Sequence, residues 1–263
     1  MSMCDMSRVM VLLMAGLALP VKALDITAYA LVDLSHTYDQ STLYWPTSPS
    51  AFEKTTLAYG ETEGGFFYAA NSVCTPEHGG THIDAPIHFF ADRATVDQLP
   101  LSQLMLPAVV IDISDQANND ANYRLTQADL AEWEEQHGRV PAGVAVLLRT
   151  DWSARWPDAL SYLGDDTPGD ASNLHFPSFG SEAARILVEQ RKVAMLGVDT
   201  ASIDYGQSTD FLVHRIAAEH NVPGLENLTS LDQLPAVGAW VIALPIKISG
   251  GSGAPVRVAA LVP

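Results

Sequence analysis

Eleven residues in the first third of the chain limit what it can fold into. The window from His78 to His88 reads HGGTHIDAPIH and has the spacing H-x3-H-x-D-x3-H. Its two glycines, with one proline inside it and another just before it, make a regular helix unfavourable. A tight turn instead allows His78, His82 and Asp84 to converge, and two imidazoles with a carboxylate suit a divalent ion such as Zn²⁺ or Mn²⁺. Three unrelated structural histidines are the alternative, but the intervening aspartate favours a metal site.

The remaining sequence predicts one mixed α/β domain over residues 24–263. Hydrophobic residues make up 48% of the chain, and no repeat or long Pro/Gly/Ser linker divides it. Short apolar runs alternate with capped amphipathic segments, which favours a sheet with helices packed against it. Strands are predicted over 109–113, 144–150, 193–198, 240–248 and 256–262, and helices over 125–138, 181–192 and 210–220. Chemistry-bearing side chains are expected in the loops at the strand ends.

The charge balance excludes two classes of partner. Lys and Arg number 14 against 31 Asp and Glu, which gives a formal net charge of −17. Nucleic acid and anionic membrane surfaces would both be repelled at long range, so neither is expected to bind.

Residues 1–23 have the pattern of a signal peptide. Arg8 precedes an apolar run over 9–19, and the small residues of Val21-Lys22-Ala23 form a cleavage site. The run is too short to span a bilayer, so we expect export to the periplasm or medium and no membrane association after cleavage. A buried N-terminal segment is the alternative.

Cleavage would leave Cys74 as the single thiol, which we expect to be a buried small hydrophobe rather than a catalytic nucleophile.

The histidine window also resembles a known signature. HGGTHIDAPIHF is similar to the H-x-G-T-H-x-D-x-P-x-H-F pattern of the cyclase-like metal-dependent hydrolases, of the kynurenine formamidase and isatin hydrolase type. Further segments resemble the family in family order: Asp33-Leu34-Ser35, Tyr44-Trp45-Pro46, Arg149-Thr150-Asp151-Trp152, residues 197–204 and residues 214–228. The resemblance implies an α/β fold, a single mixed sheet-and-helix domain of the swivelling β/β/α type, with the site at the sheet edge. It also implies a homo-oligomer.

The same resemblance implies a second metal position. His214 and Glu226 are separated by eleven residues, as in the kynurenine formamidase type. From the residues alone, His214 lies on a predicted helix and Glu226 follows a Pro-Gly turn, so both could return to the first cluster. A core histidine and an ordinary surface acid are the alternative. Isatin hydrolases of the family are single-metal manganese enzymes without this glutamate, so Glu226 favours the two-metal form. The cofactor is therefore expected to be Zn or Mn, one or two ions per chain.

A mechanism follows from such a site. Asp84 could bridge two ions, and a water between them would have its pKa lowered from about 15.7 toward 7. The resemblance makes His88 the catalytic acid/base, with a fourth metal ligand as its rival role, and Asp84 or Glu226 remains open as the base. Trp45 matches a position that lines the family's substrate pocket, where its indole could stack on an aryl amide. An ordinary core tryptophan is the alternative.

Together these features predict a metal-dependent hydrolase that cleaves the C–N amide bond of an aryl formamide or related small amide. Isatin hydrolase-like opening of a cyclic amide is the alternative, favoured by the insert over 152–179 and by export. A non-catalytic metal-binding or ligand-binding module is a third possibility. The chain has no G-x-S-x-G motif, which argues against a serine hydrolase.

Phe66 to Tyr68 could form an aromatic wall or a plain strand, and Asp199, Ser202 and Asp204 could serve the site or merely cap turns.

Overall fold

A computed structural model describes residues 26–263, so the predicted signal peptide lies outside the described residues. The strands are β1 Ala30–Asp33, β2 Glu53–Glu61, β3 Phe67–Cys74, β4 His82–Asp84, β5 Met105–Asp112, β6 Arg124–Leu125, β7 Ala145–Arg149, β8 Ser178–Phe179, β9 Met195–Val198, β10 Gly224–Glu226, β11 Val237–Pro245 and β12 Gly253–Val262. The α-helices are α1 Leu101–Leu104, α2 Ser114–Asn119, α3 Gln127–His137, α4 Ala159–Leu163, α5 Ser181–Arg185 and α6 Leu212–Glu219. Short 3₁₀ turns and one π-helical turn, Ile186–Arg191, connect them.

Eight of the strands form one mixed sheet that closes on itself. Their order is β1-β12-β11-β5-β7-β9-β10-β4, and β4 pairs with β12 to complete a barrel-like ring. Strands β5, β7, β9 and β10 run parallel, whereas the other pairings are antiparallel. The chain is therefore a single mixed α/β domain, as the sequence predicts.

The parallel strands are buried on both faces, which explains their unbroken apolar sequences. In β5 and β7, Val110 and Leu147 belong to the core cluster inside the ring. Their neighbours Ile111 and Leu148 belong to a second cluster, which also contains residues of α3, α5 and α6. The helices therefore cover one side of the sheet and leave its strand ends free for a site.

Most of the predicted elements are confirmed, with shifted ends. Helix α3 begins at a capping box in which Thr126 and Asp129 satisfy each other's backbone N–H groups, and it ends at Gly138. The predicted helix over 181–192 is divided into α5 and the π-helical turn. Within the described chain, no helix has the length and apolar character needed to cross a membrane.

The antiparallel ribbon of β2 and β3 is the main element that the sequence did not predict. Its apolar side chains are exposed on the described chain, with Tyr59 80% and Phe67 59% accessible. Of the residues Phe66 to Tyr68, Phe67 and Tyr68 belong to β3, as the strand reading predicts, and Phe66 directly precedes it. The expectation that Cys74 is buried is wrong, because Cys74 ends β3 and the ribbon does not pack on the core.

Candidate metal centre

Two glycines shape the turn that begins the site. Gly79 and Gly80 have φ values of 131° and 57°, in the region that glycine adopts most readily. Tyr38 Oη donates hydrogen bonds to the carbonyl oxygens of Gly79, at 2.6 Å, and of Thr81, at 2.8 Å. A Cβ at Gly79 would collide with the ring of Tyr44, and one at Gly80 with that of Tyr38. The glycine pair is therefore required by both conformation and space.

The turn and strand β4 bring the first three predicted ligands together. His78 Nδ1 lies 2.6 Å from Asp84 Oδ1, and His82 Nε2 lies 3.2 Å from the same oxygen. His82 and Asp84 are buried, and His78 is partly exposed. His82 Nδ1 is 3.0 Å from the carbonyl of Gly80, which leaves Nε2 to face the cluster.

Helix α6 and strand β10 bring the other two predicted ligands to the same place. Strand β10 pairs with β4 so that Glu226 lies directly opposite His82. His214 Nε2 lies 3.1 Å from Asp84 Oδ2 and 3.0 Å from Glu226 Oε1. Glu226 Oε2 is 3.4 Å from His82 Nε2. Both side chains are therefore buried in the cluster, as the resemblance implies.

These five side chains form two overlapping groups that could each hold a metal ion. One consists of His78, His82 and Asp84, the other of Asp84, His214 and Glu226, and the ligand atoms within each lie within 4.8 Å of one another. Asp84 belongs to both, with one carboxylate oxygen turned to each group. This donor set of imidazole nitrogens and carboxylate oxygens fits a pair of divalent ions such as Zn²⁺ or Mn²⁺.

The electrostatics of the cluster also fit a cation. Burial alone would raise the pKa of Asp84, but the neighbouring histidines hold it well below its usual value. Burial would likewise lower the pKa of His82, yet Asp84 and Glu226 raise it to about 9. The pKa of His214 is also raised, against burial, by hydrogen bonds to Asp204 and Asp84. Protons thus supply the positive charge that the buried carboxylates demand, and a divalent ion would replace them.

Asp204 has a role in the site that the sequence left undecided. Its Oδ2 lies 2.7 Å from His214 Nδ1 and accepts the backbone N–H of His214, while Oδ1 accepts that of Val213. The carboxylate therefore caps the first turn of α6 and directs His214 Nε2 toward Asp84. A carboxylate behind a ligand histidine is a common means of fixing its tautomer. The only sequence signal was a run of polar residues after a buried strand.

His88 lies beside the cluster and outside both ligand groups. Its ring stacks on that of His78, with centroids 3.8 Å apart, and is 6.3 Å from that of His214. The ring nitrogens make no hydrogen bond to the described residues, and the side chain is exposed toward the cavity. Atoms packed around the rest of the ring exclude water from it, and this desolvation is the main cause that lowers the pKa of His88 to about 4. The imidazole that faces the cavity is therefore neutral near pH 7.

A cavity of about 380 Å³ opens over the cluster. Trp45 belongs to its wall, in edge contact with Phe176 and tilted against Phe211. Phe89 and Leu163 add further apolar surface, and no lysine or arginine occurs among the described residues that line the cavity. The structure therefore places Trp45 where an aryl group could stack, although the residue also contacts the core.

Two other polar residues noted in the sequence, Asp199 and Ser202, have different places. Asp199 is buried away from the cavity, where it accepts hydrogen bonds from the backbone N–H and hydroxyl of Thr150. Burial raises the pKa of Asp199 to about 7. Ser202 lines the cavity. Asn227 also lines the cavity, where it is only 4% exposed and donates to the Gly80 carbonyl.

Fold and donor set together define a class of protein: a mixed α/β domain with a buried His/Asp/Glu cluster that could hold metal ions beneath an apolar cavity. The Cyclase family model matches residues 32–205. Isatin hydrolase of Roseibium aggregatum is 36% identical over 207 residues, which is 76% of this chain and 77% of that protein. Kynurenine formamidase of Salinibacter ruber is 29% identical over 228 residues, 87% of this chain and 95% of that protein. The chain belongs to the cyclase family.

Solved structures agree with this assignment. Isatin hydrolase A from Ralstonia solanacearum superposes with a TM-score of 0.82 at 36% identity, covering 90% of this chain and 93% of that one. Isatin hydrolase A from Labrenzia aggregata, bound to benzyl benzoate, gives 0.83 at 34% identity over 90% and 94% of the two chains. The relatives carry the names of hydrolases that act on C–N amide bonds, so the family and enzyme class expected from the sequence are confirmed.

Proposed function

We propose that this protein is a metal-dependent hydrolase that cleaves the C–N bond of a small, uncharged aryl amide. The observation that carries the proposal is the pair of metal-binding groups that share Asp84 at the base of an aromatic cavity. Ions bound there would activate water and polarise the substrate carbonyl. The chain has the ligands for both positions, which favours two ions per chain, and Zn²⁺ and Mn²⁺ suit them equally.

The protein's own groups then account for binding and proton transfer. Trp45, Phe89 and Phe211 give the cavity an aromatic wall on which an aryl ring can stack. His88 presents a neutral imidazole beside the ligands, so it can take a proton from the attacking water and return it to the amide nitrogen as that nitrogen leaves. A pure binding module would not need an unliganded histidine in this place.

The lack of a lysine or arginine among the described residues that line the cavity distinguishes between the two candidate substrates. N-formylkynurenine carries an α-carboxylate, which would have no cationic partner among the described lining residues. Isatin, a cyclic amide, is uncharged and aromatic, and benzyl benzoate, which occupies the Labrenzia aggregata enzyme, is also uncharged and aromatic. We therefore place isatin-type ring opening first. Retention of Glu226 favours formamidase chemistry and keeps N-formylkynurenine as the second candidate.

Metal content and turnover test the proposal together. The protein would be purified without chelators, resupplied with zinc or manganese, and analysed for ions per chain. Hydrolysis of isatin and N-formylkynurenine would then be followed by absorbance. Two ions with turnover of isatin would support the proposal, whereas turnover of N-formylkynurenine alone would refute its preference for an uncharged substrate. A protein that binds neither metal would refute it.

We also propose that a second copy of the chain covers the exposed apolar surfaces. Leu57, Tyr59 and Phe67 on the ribbon are all more than half exposed, and an isolated two-stranded ribbon is only marginally stable in water. On the outer sheet face, paired strand positions align Leu31, Leu261, Trp240 and Pro107 in one apolar row. Two such surfaces on one chain suit a symmetric, self-complementary interface. Light scattering of the purified protein should give a multiple of the monomer mass, and a monomer would refute this.

Export is proposed on the signal-like pattern of residues 1–23 alone. Mass spectrometry of protein recovered from the periplasm or medium should find a new N-terminus near Leu24. Retention of the intact chain in the cytoplasm would contradict export.

A further inference from the structure

A line of hydrogen bonds leads outward from His78, on the side of its ring away from Asp84. His78 Nε2 lies 2.8 Å from Ser252 Oγ, which lies 2.7 Å from Glu77 Oε2. The same carboxylate oxygen accepts the backbone N–H of Ser252 at 2.9 Å and that of Gly253 at 3.3 Å. Neither Glu77 nor Ser252 has a part in the proposed reaction.

The chemistry of these groups sets the direction of the protons. Glu77 Oε2 already accepts two backbone N–H groups, so it is an acceptor and Ser252 donates its hydroxyl hydrogen to it. Its oxygen must then accept from His78, which places the proton on Nε2 and leaves Nδ1 for an ion beside Asp84. His82 and His214 have the opposite arrangement, because their Nδ1 atoms face the Gly80 carbonyl and Asp204. His78 therefore needs a partner of its own to present Nδ1.

Backbone hydrogen bonds hold the loop that carries Ser252 close to the His78 ring. The Ser252 carbonyl accepts the N–H of Ala85, one residue beyond the ligand Asp84, and the Gly251 carbonyl accepts the N–H of Val96. A Cβ on Gly253 would approach His78 Cε1 to 2.5 Å and the Ile83 carbonyl oxygen to 2.7 Å. Only glycine therefore lets the loop approach the ring closely enough for the Ser252 contact.

We propose that Glu77 and Ser252 are positioning residues that act through His78. They hold its Nε2–H tautomer and thereby raise the affinity of the metal position formed by His78, His82 and Asp84. The inference rests on the proposed function, since it requires that the cluster binds metal. Without Glu77 the Ser252 hydroxyl could donate to Nε2, and without Ser252 a water could do so. In either case the proton would move to Nδ1, the atom that should bind the ion.

Zinc affinity of the full chain, measured by competition with a chromophoric chelator, tests this without recourse to activity. Ser252→Ala should weaken one of the two zinc sites by about 10–100-fold and leave the other within about twofold. Glu77→Gln keeps an acceptor but loses the charge, so its loss should be smaller. The double variant should lose no more than Ser252→Ala alone, because both residues act through one contact. Ser249→Ala, an exposed serine in the same loop, is the matched control.

Cobalt(II) substitution gives an independent readout. The visible bands of cobalt at the weakened site should change in Ser252→Ala and be restored in Ser252→Thr, which keeps the hydroxyl. Unchanged affinities and spectra would overturn the inference while leaving the hydrolase proposal intact. Equal weakening of both sites, or additive losses in the double variant, would overturn it in favour of a structural role. A wild-type protein that binds neither zinc nor manganese would overturn both proposals.

Discussion

Replacing Asp204 with Asn should weaken one metal position while sparing the other. Its carboxylate faces His214 Nδ1 at 2.7 Å and accepts two backbone N–H groups of α6, each at 3.0 Å. An asparagine has one acceptor oxygen instead of two, so either a helix N–H or the His214 ring loses its partner. A lost helix cap costs about 1 kcal/mol of stability.

The effect on metal binding is larger. A hydrogen bond to a charged group contributes about 1.5–3 kcal/mol, against about 0.5–1.5 for a neutral one. The difference of about 1–2 kcal/mol is roughly a 5–30-fold change in a binding constant. We therefore expect Asp204→Asn to weaken the position of Asp84, His214 and Glu226 by about 5–30-fold, which overlaps the 10–100-fold range usual for such outer partners.

Chelator competition with zinc would resolve the two binding constants, and thermal unfolding of the metal-free protein would report the loss of the cap. Asp210→Asn is the matched control, because Asp210 lies in the same loop and makes no hydrogen bond to His214. Equal affinities in Asp204→Asn and wild type would refute the reasoning, as would weakening of both positions alike. A similar loss in the Asp210 variant would assign the effect to the loop rather than to the contact with His214.

Three further changes test other parts of the structure. His88→Ala should lower kcat by about 100-fold or more with both ions retained, as metal analysis would check, and loss of metal would make His88 a ligand instead. Asp199 has a folded pKa of about 7 against 3.8 unfolded, so it stabilises when protonated. The stability of the wild type relative to Asp199→Asn, from urea unfolding, should fall by up to about 4 kcal/mol as pH rises from about 4 to 7, and a flat difference would contradict this. Gly79→Ala should cost about 2–5 kcal/mol, because backbone strain adds to the collision with the neighbouring tyrosine ring. Gly65→Ala has a positive φ but open space and should cost less, and equal melting points would refute the collision.

The local parts of the site could be predicted because their sequence determines them directly. The glycine pair and the spacing of His78, His82 and Asp84 confine those ligands to one turn and one short strand, whatever the rest of the fold does. Capped helices such as α3 could be predicted equally well, because Thr126, Asp129 and Gly138 satisfy the helix ends from within the segment itself. Such features need no knowledge of distant partners.

The outer partners of the ligands could not be predicted, for a physical reason. Glu77 and Ser252 are 175 residues apart in sequence, and only the closure of the sheet by β4 and β12 brings them into contact. The ribbon was missed because its strands lack a buried face, so the alternation that usually identifies a half-buried strand is absent. Cys74 was wrongly predicted to be buried because the exposed ribbon that contains it was not predicted.

The two ligand groups come together because of the register in which β10 pairs with β4, rather than because of any single sequence motif. Glu226 reaches the cluster because β10 pairs with β4 so that it lies opposite His82. Successive side chains of a strand point to opposite faces, so a slip of one residue would turn Glu226 away from the ligands. Strand β9 holds β10 on its other edge, and β12 holds β4, so neither short strand can slip without breaking a second ladder. The closed sheet therefore fixes the separation of the two ligand groups, and Asp84 can bridge them because that separation is fixed.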